Sequence, residues 1–260
     1  KEQELPDGDF PTVSYPNPEA AEAFELGLKL AKEVDADLVL ATDPDADRLG
    51  VYVKDTKSGE YIPLTGNMSG SLLCEYVLSQ KQAAGKIPAD GQVVKSIVST
   101  NLIDAVAKSY GAELIEVLTG FKWIGKQILK NETTGHGTYL FGMEESYGCL
   151  IGTYARDKDA ISATAALCEA AAYYKQKGMT LWDAMIAMYE KYGYYGERTM
   201  NLVMPGLDGL KDMAQLMKNL RENPPAEISG VKVVVRKDYT DGTVTDCATG
   251  AQSRMELSGS

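Results

Sequence analysis

Residues 38–48 read Leu-Val-Leu-Ala-Thr-Asp-Pro-Asp-Ala-Asp-Arg. The apolar run at Asp37–Ala41 is the length of a buried strand, and a carboxylate-rich loop follows it directly. In α/β folds ligands gather at the carboxyl ends of strands. Asp43, Asp45 and Asp47 stand at alternate positions, so their side chains can converge on one cation. Three hard oxygen donors suit Mg²⁺, which completes its shell with waters and a substrate phosphate. Arg48, which stays charged, is placed to grip that phosphate beside the metal. The stretch therefore predicts an α/β fold with a phosphoryl-transfer loop at a strand end.

Other readings of the loop can be weighed. A calcium loop of the EF-hand type needs Gly at its sixth position and Glu at its twelfth, where this chain has Arg48 and Lys54. A haloacid-dehalogenase nucleophile motif needs a Thr where Asp47 stands. A solvated acidic turn is the plain structural alternative.

The pattern around the loop supports the fold class. Residues 1–17 are rich in Pro, Asp and Gly and read as irregular. Asn17-Pro18-Glu19 predicts a helix start, with Ala21, Phe24, Leu28 and Ala31 at helical spacing. Leu49–Lys54 reads as a strand, and the Lys57-Ser58-Gly59 turn joins it to Tyr61-Ile62-Pro63 as a hairpin. Strands over 93–98, 114–118 and 138–141 then alternate with helices over 70–80, 102–110, 124–129, 159–175 and 181–192. That alternation predicts a parallel α/β sheet flanked by helices. Beyond it come a strand over 197–203, a helix over 207–220, a strand over 231–235 and a polar tail.

The chain has 260 residues, 44% of them hydrophobic, and a formal net charge of -11. An acidic surface of this size argues against nucleic-acid partners. It leaves room for a small anionic substrate held by a few local cations. Cys74, Cys149, Cys168 and Cys247 are scattered without a Cys-x-x-Cys pair, which predicts reduced thiols and a cytoplasmic protein. No apolar run reaches membrane-spanning length, so no membrane partner is expected. His136, the only histidine, lies in Gly-His-Gly and makes a histidine-based triad or zinc site a poor fit.

Three further motifs follow predicted strands or open a helix. Thr119-Gly120-Phe121-Lys122-Trp123 offers a cation and aromatic rings, or a loop whose rings pack inward. Gly142-Met143-Glu144-Glu145-Ser146-Tyr147-Gly148 offers acceptors for vicinal sugar hydroxyls, or a polar loop. Arg156-Asp157-Lys158-Asp159 offers a lysine near a helix N-terminus, which disfavours its charge, between two aspartates, which favour it. The direction of its pKa shift stays open at this point.

In this order, the four motifs resemble those of the alpha-D-phosphohexomutase family, roughly from Leu5 to Val235, and most of all its bacterial phosphoglucomutase-like members. The resemblance implies a magnesium loop with Asp43, Asp45 and Asp47 as ligands, and Arg48 beside a phosphoserine. It implies Glu144 and Ser146 as sugar-hydroxyl contacts, Thr119, Gly120, Phe121 and Lys122 as a loop that orients the sugar, and Lys158 as general acid/base. Arg48 and Lys158 are thus the catalytic candidates.

The implied fold is a set of repeated phosphohexomutase-type α/β domains with mixed or parallel sheets. Residues 1–63 would be part of domain 2, 64–193 domain 3, and 194–260 the start of domain 4. Neither a Thr-Ala-Ser-His-Asn-Pro-like serine loop nor an Arg-Pro-Ser-Gly-Thr-Glu-Pro-like phosphate loop occurs, so a piece of a longer enzyme is expected. The implied reaction interconverts glucose 1-phosphate and glucose 6-phosphate, with Mg²⁺ as cofactor and glucose 1,6-bisphosphate as intermediate and activator. Mannose or pentose phosphates are alternative substrates. Two alternatives of another kind are a binding module for Mg²⁺ and sugar phosphate without turnover, and a phosphatase with Asp43 as nucleophile.

Overall fold

The computed structural model describes residues 2–197 and 202–255. The chain divides into two compact units at residues 195/196.

In the first unit, the chain meets its first helix later than the Asn-Pro-Glu signal predicts. Asn17 accepts the amide proton of Glu19 at 2.8 Å and so caps a turn. A 3-10 turn over Ala21–Phe24 follows, and α1 spans Glu25–Val34. Asp35, in the left-handed region at φ 56°, ends α1. Strands β1 (Leu38–Thr42), β2 (Leu49–Lys54) and β3 (Tyr61–Leu64) form an antiparallel sheet in the order β1-β2-β3. Leu49, Val51 and Val53 alternate along β2 and are all buried, as period-two geometry requires for a core-facing strand. The β2–β3 hairpin is as predicted, with Asp55 accepting from the amide of Lys57 and the hydroxyl of Ser58.

The second sheet contains β4 (Gly91–Ser96), β5 (Glu113–Val117), β6 (Thr138–Glu144) and β7 (Gly148–Leu150), in the order β5-β4-β6-β7. The first three strands are parallel and β7 is antiparallel to β6. The predicted parallel sheet is therefore one part of a mixed architecture. Helices α2 (Gly66–Ala83), α3 (Leu102–Ser109), α4 (Lys122–Thr134), α5 (Ala160–Lys175) and α6 (Leu181–Tyr192) surround it. Successive residues of β4 serve opposite faces. Val93 joins the large core with α2, α3, α5 and α6, and Val94 joins a smaller core with Phe121, Ile124 and Ile128 from the α4 side.

The second unit carries α7 (Gly206–Glu222) and short strands β8 (Glu227–Ile228), β9 (Val231–Lys232), β10 (Val235–Asp238), β11 (Thr243–Asp246) and β12 (Gln252–Arg254). The strand expected over 231–235 is split between β9 and β10. The polar tail forms a β10-β11-β12 antiparallel meander. The middle of the strand expected over 197–203 lies outside the described residues.

Candidate functional site

The carboxylate loop between β1 and β2 is organised by its own first residue. Ala46 donates its amide to the Asp43 carbonyl at 3.0 Å, closing a tight turn with Ala46 in the left-handed region at φ 57°. One Asp43 carboxylate oxygen, Oδ1, accepts the amides of Asp47 and Arg48, each at 3.0 Å. Oxygens of Asp43, Asp45 and Asp47 then lie within 4.8 Å of one another. Burial pushes the Asp43 carboxyl above its ordinary range, and the neighbouring Asp47 and Asp45 charges add to that; the Arg48 amide opposes it. Asp47 Oδ1 is buried without a hydrogen-bond partner, with Arg48 Nε 3.7 Å away. Crowded carboxylates with an unsatisfied buried oxygen are a donor set that fits a divalent cation.

Arg48 reaches over the loop. Its guanidinium pairs with Glu19 at 2.9 Å and with Asp43 at 3.6 Å. Glu19, from the Asn-Pro-Glu segment, is a site neighbour that its motif did not announce.

The glutamate-rich segment is less of a loop than its sequence suggests. Gly142–Glu144 belong to β6 and Gly148 opens β7, leaving Glu145, Ser146 and Tyr147 as the turn. Tyr147 takes the left-handed conformation at φ 66°, as the last residue of a three-residue hairpin loop often does. The two glutamates diverge. Glu144 is 5% exposed and accepts the Gly120 amide at 2.6 Å. Burial raises its pKa, and the Gly120 amide only partly offsets that. Glu145 turns the other way, accepting from Ser96 at 2.8 Å and Ser99 at 3.3 Å. Both serines are buried, and no sequence motif marked them. Ser146 lies half-buried at the tip.

Backbone contacts join this hairpin to the carboxylate loop. Leu49 donates its amide to the Tyr147 carbonyl at 2.9 Å, and Arg48 forms a β-bridge with Gly148. The amide of Ala160, the first residue of α5, donates to the Ala46 carbonyl at 3.0 Å.

Lys158 precedes α5, whose N-cap is Asp159, so it stands just ahead of the helix start, near which the sequence placed it. Its ammonium pairs with Asp47 at 2.8 Å and Asp157 at 2.9 Å. Burial pulls the Lys158 pKa down, but the bonds to Asp47 and Asp157 outweigh it and the net direction is upward.

The Thr119–Lys122 segment is divided in its exposure. Thr119 and Lys122 are exposed, Gly120 is half-buried with φ 109°, and Phe121 is 3% exposed within the smaller core. The expectation that aromatic residues here offer a sugar a ring face fails for Phe121, because its ring fills space beside Ile124 and Val94. The Phe121 ring centroid lies 5.6 Å from the Lys158 ammonium. Lys122 lies 5.4 Å from the ring of Trp123.

The site so described crosses two sequence-family matches. The model described as phosphoglucomutase/phosphomannomutase alpha/beta/alpha domain II matches residues 1–59, and the model for domain III matches residues 65–192. The chain belongs to the phosphoglucomutase/phosphomannomutase family. In the family's terms the carboxylate loop falls in domain II, and Gly120, Glu144 and Lys158 fall in domain III.

Among relatives, a phosphoglucomutase of Staphylococcus haemolyticus is 37% identical over 233 residues, covering 90% of this chain and 41% of the relative. One of Staphylococcus aureus is 36% identical over 252 residues, covering 96% and 44%. This chain thus spans less than half the length of the relatives it matches. Two solved structures share the fold. A phosphoglucomutase/phosphomannomutase family protein of Burkholderia thailandensis aligns with TM-score 0.56 at 20% identity, covering 97% of this chain and 46% of that one. The open form of the Paramecium phosphoglucomutase parafusin gives 0.56 at 20%, covering 92% and 39%. Among the described residues no helix is long and apolar enough to cross a membrane.

Proposed function

We propose that this chain is the metal- and sugar-reading part of a phosphoglucomutase that interconverts glucose 1-phosphate and glucose 6-phosphate. Residues 1–63 and 64–193 would be its domain 2 and domain 3 portions, and 194–260 the opening of domain 4. The supporting observation is the 2.8 Å contact between Lys158 and Asp47. It ties the three-carboxylate loop to Lys158, whose charge also acts on Glu144.

Asp43, Asp45 and Asp47 would hold Mg²⁺, which when bound offsets negative charge on the transferring phosphoryl group. Arg48 exchanges its carboxylate partners for phosphate oxygens, which its planar fork fits. Glu144 and Ser146 take hydroxyls shared by the two sugar orientations, so the sugar can present either phosphate to the same centre. Lys158, protonated in its resting pairing, supplies a proton at the departing oxygen and recovers it in the reverse step. The phosphoryl donor implied by the family resemblance is a serine on a loop of the Thr-Ala-Ser-His-Asn-Pro kind, which this sequence does not contain. Glucose 1,6-bisphosphate is the intermediate in this scheme. The scattered, unpaired cysteines suit a cytoplasmic setting.

A second reading, that the 260-residue chain binds Mg²⁺ and sugar phosphate without turning over, is favoured by the absence of that serine loop. A coupled mutase assay with Mg²⁺ and a trace of glucose 1,6-bisphosphate separates the two. It is run on this chain and on a longer protein containing it and the serine loop, with glucose, mannose and ribose phosphates. Turnover by the longer protein alone is expected. Turnover by the 260-residue chain would overturn the serine-donor scheme, and none by either would overturn the mutase assignment.

A further inference from the structure

Gly148 opens β7 and faces the stem of Lys158. A Cβ placed on Gly148 would overlap Lys158 Cδ outright, and it would stand 2.6 Å from Cγ and 3.3 Å from Cβ. The first two overlaps are with the middle of the side chain, and its far end is fixed by Asp47 and Asp157. Swinging the stem aside would pull on the ammonium held 2.8 Å from Asp47. On its other side the ammonium lies over the buried Phe121 ring. No special backbone conformation calls for glycine here, because Gly148 is absent from the positive-φ residues and pairs as an ordinary strand residue with Glu144. What requires glycine is the space its missing side chain leaves.

We propose that Gly148 is a positioning residue whose bare Cα forms the track along which Lys158 crosses β7 to reach Asp47. The backbone that forms the track also bridges to Arg48. A side chain at 148 would therefore displace the lysine. This rests on the mutase reading for its catalytic consequence, but its geometry stands apart from it.

The test uses Gly148→Ala with two readouts. The first is a double-mutant cycle in melting temperature on this chain, with Gly148→Ala made alone and beside Lys158→Ala. Gly148→Ala alone is expected to lower Tm by about 3 °C or more through overpacking. Beside Lys158→Ala the loss is expected to vanish, because the two overlapping atoms are gone and, of the three nearest, the 3.3 Å Cβ remains. An equal loss in both backgrounds would overturn the proposal. If Gly148→Ala does not fold alone, its recovery beside Lys158→Ala supports the track equally, and failure to recover overturns it.

The second readout is steady-state kinetics on the longer protein. Displacing the lysine by about 1 Å is expected to lower kcat on the order of 100-fold with KM for the sugar phosphate nearly unchanged. An unchanged kcat would overturn the catalytic consequence. If the unsubstituted longer protein shows no mutase turnover, the function assignment fails while the melting cycle still decides the geometry.

Discussion

The Lys158 ammonium lies 2.8 Å from Asp47, whose other carboxylate oxygen is buried without a hydrogen bond. One aspartate thus pairs with a lysine through one oxygen and leaves the other 3.7 Å from Arg48 Nε.

Asp45 and Asp43 should separate metal binding from folding. Asp45 is exposed, whereas Asp43 Oδ1 holds two backbone amides. Asp45→Asn is expected to weaken Mg²⁺ binding by about tenfold or more with Tm unchanged. Asp43→Ala is expected to lose Mg²⁺ binding and about 1–3 kcal/mol of stability, because two amides lose their acceptor. Titration calorimetry and thermal melting check both. Unaltered Mg²⁺ affinity in Asp45→Asn would sink the ligand assignment.

The buried Glu144 carboxyl gives a pH signature. Burial raises its folded pKa above the ordinary 4.5, so the folded chain holds this proton more tightly than the unfolded one. Its contribution to stability is fully present below 4.5 and is lost as pH rises through the folded value. Glu144→Gln keeps an acceptor for the Gly120 amide and removes the buried charge. Relative to the parent, the variant is expected to gain stability at pH 7 and to lose that gain at pH 4. Denaturant melts at the two pH values test the sign, and an advantage that grows on acidification would contradict it.

A second buried glutamate carries structural weight. Glu75 on α2 accepts from Tyr110 at 2.9 Å, Lys191 at 3.0 Å and Tyr192 at 2.7 Å. Glu75→Ala leaves three donors without their acceptor and is expected to cost about 3 kcal/mol in urea unfolding. Lys191→Ala should cost under about 1 kcal/mol, because that side chain is 49% exposed. Equal costs would show that the ion pair, rather than the tyrosine bonds, dominates.

Gly66, the first residue of α2, packs against the turn of the hairpin. An added Cβ would overlap the Glu145 carbonyl and stand 2.6 Å from the Tyr147 amide nitrogen. Gly66→Ala must therefore push the turn that carries Ser146. It is expected to weaken sugar-phosphate binding and to cost about 1–3 kcal/mol. Ligand titration of the variant at a temperature well below its melt distinguishes the two effects.

The elements legible in sequence were those with strong periodicity. The hairpin of β2 and β3 and helix α6, over Leu181–Tyr192, lie where expected. Strand β7 was not legible, since three residues are too few to show alternation. Asn17-Pro18 carries a helix-start signature, yet its local Asx bond competes with the helix and delays it. At the site, residue types revealed the three aspartates, whose convergence follows from a short loop. The Ser96–Glu145 brace spans 49 positions and depends on which way Glu145 turns, which no local pattern encodes. The role of Gly148 was hidden for the same reason, since an empty volume has no letter of its own.

The backbone bond from Leu49 to Tyr147 and the bridge from Arg48 to Gly148 fasten the carboxylate loop to the hairpin through main-chain atoms. The interval between the two is thus a fixed gauge. Side-chain changes can retune what either end grips, but lengthening the reach would mean rebuilding the seam itself. Ser146 and Lys122 lie outside that seam, so a change of side chain at either leaves the measuring distance as it is.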